Sequence, residues 1–217
     1  MSTTPAMNRL LDNVRIKAPG AVDSIILMET FNVLKEFSQK THVWQEVIPF
    51  NVVTGQREYY IVATAGIPDT LLWIMPPGDM SPDATDPPSS IRGNTYGLQG
   101  TMPSDGCILL RYEPNMAATY NACIGLRVSD PLTKDDLPIF PDKLIDKWQK
   151  ALMYGVLSNL YLQPNKPYTS LQGAQVAGGF FRQGCSQAIA SVRHQNTYGA
   201  QNWRFPGTFN NRRSQRY

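Results

Sequence analysis

Aspartate and glutamate are missing from the last 71 residues, 147–217, so that stretch has no carboxylate to act as a general base or bind a cation. Histidine is nearly absent. His42 and His194 stand far apart, with no His-x-x-x-His or Glu-paired spacing, which excludes the common zinc-hydrolase pattern. Cysteine is scarce too. Cys107, Cys123 and Cys185 are an odd set without a Cys-x-x-Cys step, which argues against a disulfide framework or a zinc site. They are expected to be reduced, partly buried thiols in a chain made and folded in a cytosol. No apolar run approaches the ~18 residues that a membrane span needs. The opening MSTTPAMNRLLDN lacks the apolar core of a signal peptide, so none is expected.

Catalytic patterns are equally thin. There is no G-x-S-x-G elbow. The segment from Gly93 to Gly100 is glycine-rich but lacks phosphate-loop or dinucleotide spacing and opens no helix, so it reads as a loop or hairpin. The neighbouring Asp135 and Asp136 resemble a solvated flank before a helix more than a metal pair. His42, beside Trp44, reads as a surface or packing residue. The expectation is therefore no enzyme, no cofactor and no metal.

What is present is charge asymmetry. Residues 147–217 carry nine Lys/Arg, whereas residues 1–146 hold all 17 acids against eleven Lys/Arg, a body of about −6 joined to a half of +9. Such polarity suits a basic end that meets an acidic protein surface, nucleic acid or another copy of the chain. Charged residues make up only 17%, below the usual quarter, while the aromatics number 22. Low charge with many rings fits surfaces that something covers. It also fits a loop-rich β domain, which uses Gly, Pro and Tyr for its turns.

Periodicity divides the chain. A short helix is predicted over 9–17. A turn at Lys17, Ala18, Pro19 and Gly20 leads to a second helix with Asp23 or Ser24 as N-cap, in which Ile26, Phe31 (or Thr30), Val33, Leu34 and Phe37 recur at helical spacing up to about Thr41. From Val43 the period becomes that of strands. Residues 44–53 read as a strand interrupted at Pro49, and 58–62 as a second strand paired to it in a hairpin across Thr54, Gly55 and Gln56. Further strands are expected at 71–75, 108–112 and 122–128. Residues 76–90, with five prolines and three aspartates, read as a loop or edge excursion. Pro141 suits the first turn of a helix in which Leu144, Trp148, Leu152, Val156 and Leu160 follow at steps of four, ending near Leu162. A break at 163–167 precedes a last helix over 170–194 with Leu171, Ala174, Ala177, Phe181, Cys185 and Ile189 on one face.

The fold class expected is α+β: a helical bundle formed by 1–42 and 138–195, a β-rich antiparallel insertion at 43–137, and an extended C-terminal arm at 196–217. Trp148, Leu152, Val156 and Leu160 are expected to pack on Ile26, Phe31, Leu34 and Phe37, and on Phe181. Gly173, Gly178, Gly179 and Gly184 each cost the last helix about 1 kcal/mol relative to Ala. Close packing against the Trp148 helix accounts for that cost, as does a helix that is remodelled on binding.

Beyond Asn196 the periodicity stops, and the segment cannot bury a core of its own. Arg193, Trp203, Arg204, Phe205, Phe209, Arg212, Arg213, Arg216 and Tyr217 are its candidate binding residues. Arg interleaved with aromatics can stack on bases and pair with phosphates. The same residue types dominate protein hot spots.

The order of these elements carries a resemblance. Leu11, Asp12, Asn13, Val14 and Arg15 lead to Pro19, Gly20 and Ala21. A helix ends in Glu36 and Phe37, followed by Thr41, His42, Val43 and Trp44. A β region opens on Gly55, Gln56, Glu58 and Tyr59. Then come the Trp148 helix, the Pro164, Asn165, Lys166, Pro167, Tyr168 break, and a helix with Phe180 and Phe181. The sequence over residues 9–195 resembles the head-to-tail adaptor (connector, or head-completion) proteins of tailed bacteriophages, especially short-tailed ones. The resemblance implies a helical bundle with a β insertion, present as a ring of copies, typically a dodecamer, beneath the portal. It implies a C-terminal arm docked on the portal's outer wall and a β region facing the tail nozzle or tail fibre proteins. It also implies viral DNA passing through the channel and a place at the head–tail interface of the virion, after assembly in the host cytoplasm. The free protein is expected to be monomeric or weakly associated until it meets the portal. The second reading is a nucleic-acid-binding protein that uses the basic arm. It differs in its steep loss of affinity with salt.

Overall fold

In the computed structural model, residues 4–75, 98–129 and 139–196 are described, and they form an α+β fold of four helices and two antiparallel three-stranded sheets. Helix α1 (Pro5–Lys17) begins earlier than its apolar spacing suggested. Thr4 caps it by accepting the Met7 N–H at 3.4 Å, and Pro5 fills the first turn, where no N–H is needed. Met7, Leu10, Leu11 and Val14 form its buried stripe. Helix α2 (Asp23–Thr41) has Val22, not Asp23 or Ser24, at its N-cap. The Asp23 carboxylate instead accepts the Arg15 Nε–H at 2.9 Å, tying α2 to α1 across the Pro-Gly turn. Ile26, Phe31, Val33, Leu34 and Phe37 are buried as expected. So are Thr30 and Thr41, whose hydroxyls donate to the carbonyls of Ile26 and Phe37 one turn back.

Strands β1 (Gln45–Val52), β2 (Glu58–Tyr60), β3 (Ile67–Met75), β4 (Gly100–Ser104), β5 (Cys107–Leu110) and β6 (Ala118–Arg127) form sheets of order β1-β6-β3 and β2-β5-β4. The expected β1–β2 hairpin does not form. β1 pairs along its whole length with β6, from Gln45↔Gly125 to Val52↔Ala118, and β2 pairs with β5. The turn explains the divergence. The Tyr59 hydroxyl accepts the Val53 N–H at 3.1 Å and donates to the Gln56 carbonyl at 2.7 Å, and the Gly55 N–H reaches the Pro114 carbonyl. Arg57 donates to the carbonyls of Leu110 and Arg111, which draws the following strand onto β5. Tyr59 is buried, so Tyr59→Phe leaves turn groups without their partner. The expected loss is about 1–2 kcal/mol in urea unfolding, and an unchanged midpoint contradicts this account of the turn.

Pro49 does not interrupt β1. It lies on an edge strand, where a missing N–H costs no ladder bond if it faces outward. β4 was not expected as a strand; its signal was Asp105 and Gly106, a pair suited to a tight hairpin, with Gly106 at φ +73° joining it to β5. β3 starts earlier than its apolar run, with one register shift between Pro68 and Thr70 that takes up Asp69 and a second between Leu71 and Trp73. At its start Gly66, at φ +77°, lets the backbone pass under the Trp44 ring, which would lie 2.6 Å from any Cβ there.

Helix α3 (Asp142–Tyr161) follows Pro141, which caps it and so stands just before the first turn, not in it. Leu152, Val156 and Leu160 are fully buried, and Trp148 is half-buried with its ring 6.0 Å from Phe37. Phe37 in turn lies 6.4 Å from Phe181. The Trp148–Phe37 contact is one that the step of four predicted. Helix α4 (Leu171–Asn196) buries Ala174, Ala177, Phe181, Cys185 and Ala188. Leu171, expected on that face, is exposed; at this end of α4 it is Gly173 that lies against Tyr161 of α3. Gly184 lies where a Cβ would stand 2.3 Å from the Ala151 Cβ, so close α3–α4 packing does account for this glycine.

One apolar cluster joins the two regions, running from Leu10 and Val14 through Phe37 and Leu152 to Ile108, Leu110 and Ile124. β6 is its hinge point. Residues 122–126 are all buried, with Gly125 beneath His42 at the end of α2, and Phe50 opposite Tyr120 reaching Tyr59 of the second sheet at 5.4 Å.

Candidate docking surfaces

The chemistry-bearing groups of the described residues are structural. His42 ends α2 in a left-handed conformation (φ 50°) and packs over Gly125, and burial lowers its pKa. It is therefore a packing residue. Burial pushes the Cys123 thiol up to about 12, and burial with Glu36 nearby pushes Cys185 up to about 11. Cys107 is also raised, first by burial and then by Glu58. All three are free and buried, so at neutral pH they stay protonated and poorly nucleophilic. Among the described residues no group of three or more His, Cys, Asp or Glu could hold a metal, and no helix is long and apolar enough to cross a membrane.

The arm residues Trp203, Arg204, Phe205, Phe209, Arg212, Arg213, Arg216 and Tyr217 lie outside the described residues. So do residues 76–97, the Asp135–Asp136 pair, and the side chain of Arg193, whose backbone belongs to α4.

Among the described residues, two surfaces pair a pocket with large exposed apolar side chains. The larger is a groove of about 960 Å³ between the edge strands β1 and β2, the strands that diverge where a hairpin was expected. Ile48, Pro49 and Phe50 form one wall, and Tyr60, Ile61 and Val62 the other. Val62 is 86% exposed and Tyr60 77%, unusual for large apolar side chains so close to a core. Two carboxylates, Glu58 and Glu113, line the same groove. Glu58 accepts the Tyr60 hydroxyl at 2.6 Å and, more weakly, the Cys107 thiol. These bonds hold its carboxyl below the usual range, and the same pairing pushes Tyr60 up to about 12. Both bonds favour the charged form of Glu58. Among the described residues the cation in the lining is Arg57, whose guanidinium donates to the carbonyls of Leu110 and Arg111. The groove thus combines, among the described residues, exposed apolar side chains with two carboxylates.

The second surface is a smaller pocket of about 340 Å³ at the α1–α2 turn end of the bundle, over Tyr154, Leu157 and Tyr161 of α3. Tyr154 stacks on Phe180 of α4 at 4.8 Å, with the Lys17 ammonium 5.6 Å from its ring centre. Exposed Val176 continues this patch.

Neither surface was anticipated from sequence. A signal for the first was present in Glu58, Tyr59, Tyr60, Ile61 and Val62. A strand with apolar residues on both faces has no core for one of them unless another element covers it. No protein-family model matches the chain, and no curated protein matches it.

Proposed function

We propose that this protein is a structural adaptor of a tailed-phage virion, of the short-tailed type, and not an enzyme. In this reading copies form a dodecameric ring that docks beneath the portal, connects it to the tail nozzle or fibres, and lines the channel through which viral DNA leaves. The observation that carries it is the element order: two helices joined by a Pro-Gly turn, a β region, and a tightly packed helix pair, whose second member ends at Asn196 where the basic, acid-free segment 197–217 begins. That order matches the adaptor pattern, and the close Gly184–Ala151 approach makes α4 a firm mount for the segment that follows.

The arm supplies the contact. Arg193, Arg204, Arg212, Arg213 and Arg216 alternate with Trp203, Phe205, Phe209 and Tyr217, and in this reading they meet portal protein, not DNA. An arm that orders on its target pays its entropy there, so the free protein is monomeric or weakly associated and the ring closes on the portal. Deleting 197–217 is expected to abolish assembly on purified portal rings, read by mass and imaging, while circular dichroism stays that of the folded chain. Undiminished assembly by the truncated protein sinks the reading. Binding to duplex or single-stranded DNA whose affinity falls steeply with salt, with no portal assembly, selects the nucleic-acid alternative.

A further inference from the structure

We propose that in the free protein the groove between β1 and β2 is occupied by the chain's own C-terminal segment, 197–217, which leaves it for the portal. The inference rests on the adaptor reading for its purpose but not for its evidence. The groove wants a partner that is basic, apolar and extended. Among the described residues its lining holds the carboxylates Glu58 and Glu113 and one cation, Arg57, whose guanidinium donates to backbone carbonyls, and it exposes Tyr60 and Val62 beside the walls of Ile48, Pro49 and Phe50. Residues 197–217 contain no acid, four arginines and, in Trp203, Phe205, Phe209 and Tyr217, rings to cover those side chains.

Reach favours the same chain. Twenty-one residues extended span up to roughly 70 Å at ~3.3–3.6 Å each. A folded chain of this length has a radius of gyration of about 17 Å. A tethered segment competes at an effective concentration of about millimolar, far above that of a second copy in dilute solution.

The edges themselves set the mode of binding. Pro49 removes one donor from the middle of β1, and the Gln56 side chain already donates to the Glu58 carbonyl of β2 at 2.7 Å. A regular strand inserted between them would find an incomplete ladder. Recognition therefore runs through side chains, Arg to carboxylate and ring to Tyr60 and Val62. Such contacts are released more readily than a closed sheet. Occupied in this way, the groove both hides exposed apolar surface and withholds the arm, which keeps free subunits from associating.

The test uses the full chain with the photo-crosslinking amino acid p-benzoylphenylalanine in place of Val62, an exposed site outside β2. After irradiation at micromolar concentration, tryptic peptides from 194–217 are expected in the crosslinked product, which has the mass of one chain. The yield should hold over a tenfold dilution. It should fall at least threefold in 1 M salt, where the Debye length is about 3 Å, and also in the double variant Glu58→Gln, Glu113→Gln. Both substituted residues are exposed, and Gln keeps the acceptor for Tyr60, so loss of fold does not mimic the effect. Product at the mass of two chains, with yield that drops on dilution, overturns the proposal in favour of a second copy. Crosslinks to other segments or none, or a yield indifferent to both salt and the double variant, also overturn it. Portal is absent from the assay. A protein that never binds portal leaves this result standing, and an empty groove leaves portal binding standing.

Discussion

Leu152→Ala is expected to destabilise the protein by about 2–5 kcal/mol, enough to consume much of the stability of an ordinary domain. Leu152 is fully buried on α3, the helix that α1, α2 and α4 surround, and it belongs to the cluster that includes Leu34, Phe37 and Phe181. Deleting its isobutyl group removes apolar burial and leaves a cavity. The cavity cannot collapse easily, because Gly155 on the same helix already sits where a Cβ would be 2.7 Å from Val33 and 2.9 Å from Phe181. Val156→Ala and Leu160→Ala should behave alike, with Val156 smaller because fewer atoms are lost. Trp148→Phe should cost much less, since Trp148 is half-buried and its Nε1 has no hydrogen-bond partner among the described residues. Urea unfolding with a fitted slope measures all four. A Leu152→Ala loss below about 1 kcal/mol would mean that α3 is not the centre of the bundle.

The helices were legible because their periods are clean. Leu144, Trp148, Leu152, Val156 and Leu160 advance one turn at a time, and Thr41 ends α2 where a left-handed residue, His42, must follow. The caps were less legible. Asp23 looks like an N-cap from sequence, but its carboxylate is claimed by Arg15, a long-range choice that local propensity does not contain. The existence of β1, β2, β3, β5 and β6 was also readable, but β4 was missed and strand pairing was not legible. The apolar alternation of β1 is satisfied equally by β2 or by β6, and sequence proximity favours the hairpin. What decides is Tyr59, whose hydroxyl folds back on Val53 and Gln56 and holds the two strands apart.

That misjudged pairing hid the groove. A closed hairpin would have left no opening between β1 and β2, so Glu58, Tyr60, Val62 and Glu113 carried no functional meaning in the sequence. The same residues that make the Gly55, Gln56, Glu58, Tyr59 pattern look like a family mark also have a local duty: Gly55 at φ +78° and the Tyr59 hydroxyl build the turn. The arm was the reverse case. Its composition is plain in the chain, but residues 197–217 lie outside the described residues.

The glycines of α4 separate close packing from remodelling, and two of them predict effects of opposite sign. Gly184→Ala is expected to cost about 1–3 kcal/mol, although Ala is the better helix former by ~1 kcal/mol. The new Cβ would lie 2.3 Å from the Ala151 Cβ and 3.4 Å from its Cα. Both are fixed to the α3 backbone, so no rotamer change relieves the contact and the helices must move apart. Gly179→Ala meets nothing within 4 Å and should stabilise the protein by up to about 1 kcal/mol. A second substitution checks the cause. Ala151→Gly removes the opposing methyl, so in the Gly184→Ala background it should restore part of the lost stability, a coupling that a double-mutant cycle reads directly. If α4 kept its glycines in order to be remodelled on binding, both single changes would stabilise the free protein and no coupling to Ala151 would appear. Denaturant midpoints of the wild type, the two single glycine variants, Ala151→Gly and the double variant decide between the two accounts. A stabilising Gly184→Ala would show that the α3–α4 contact yields, and with it the view of α4 as a firm mount for the arm.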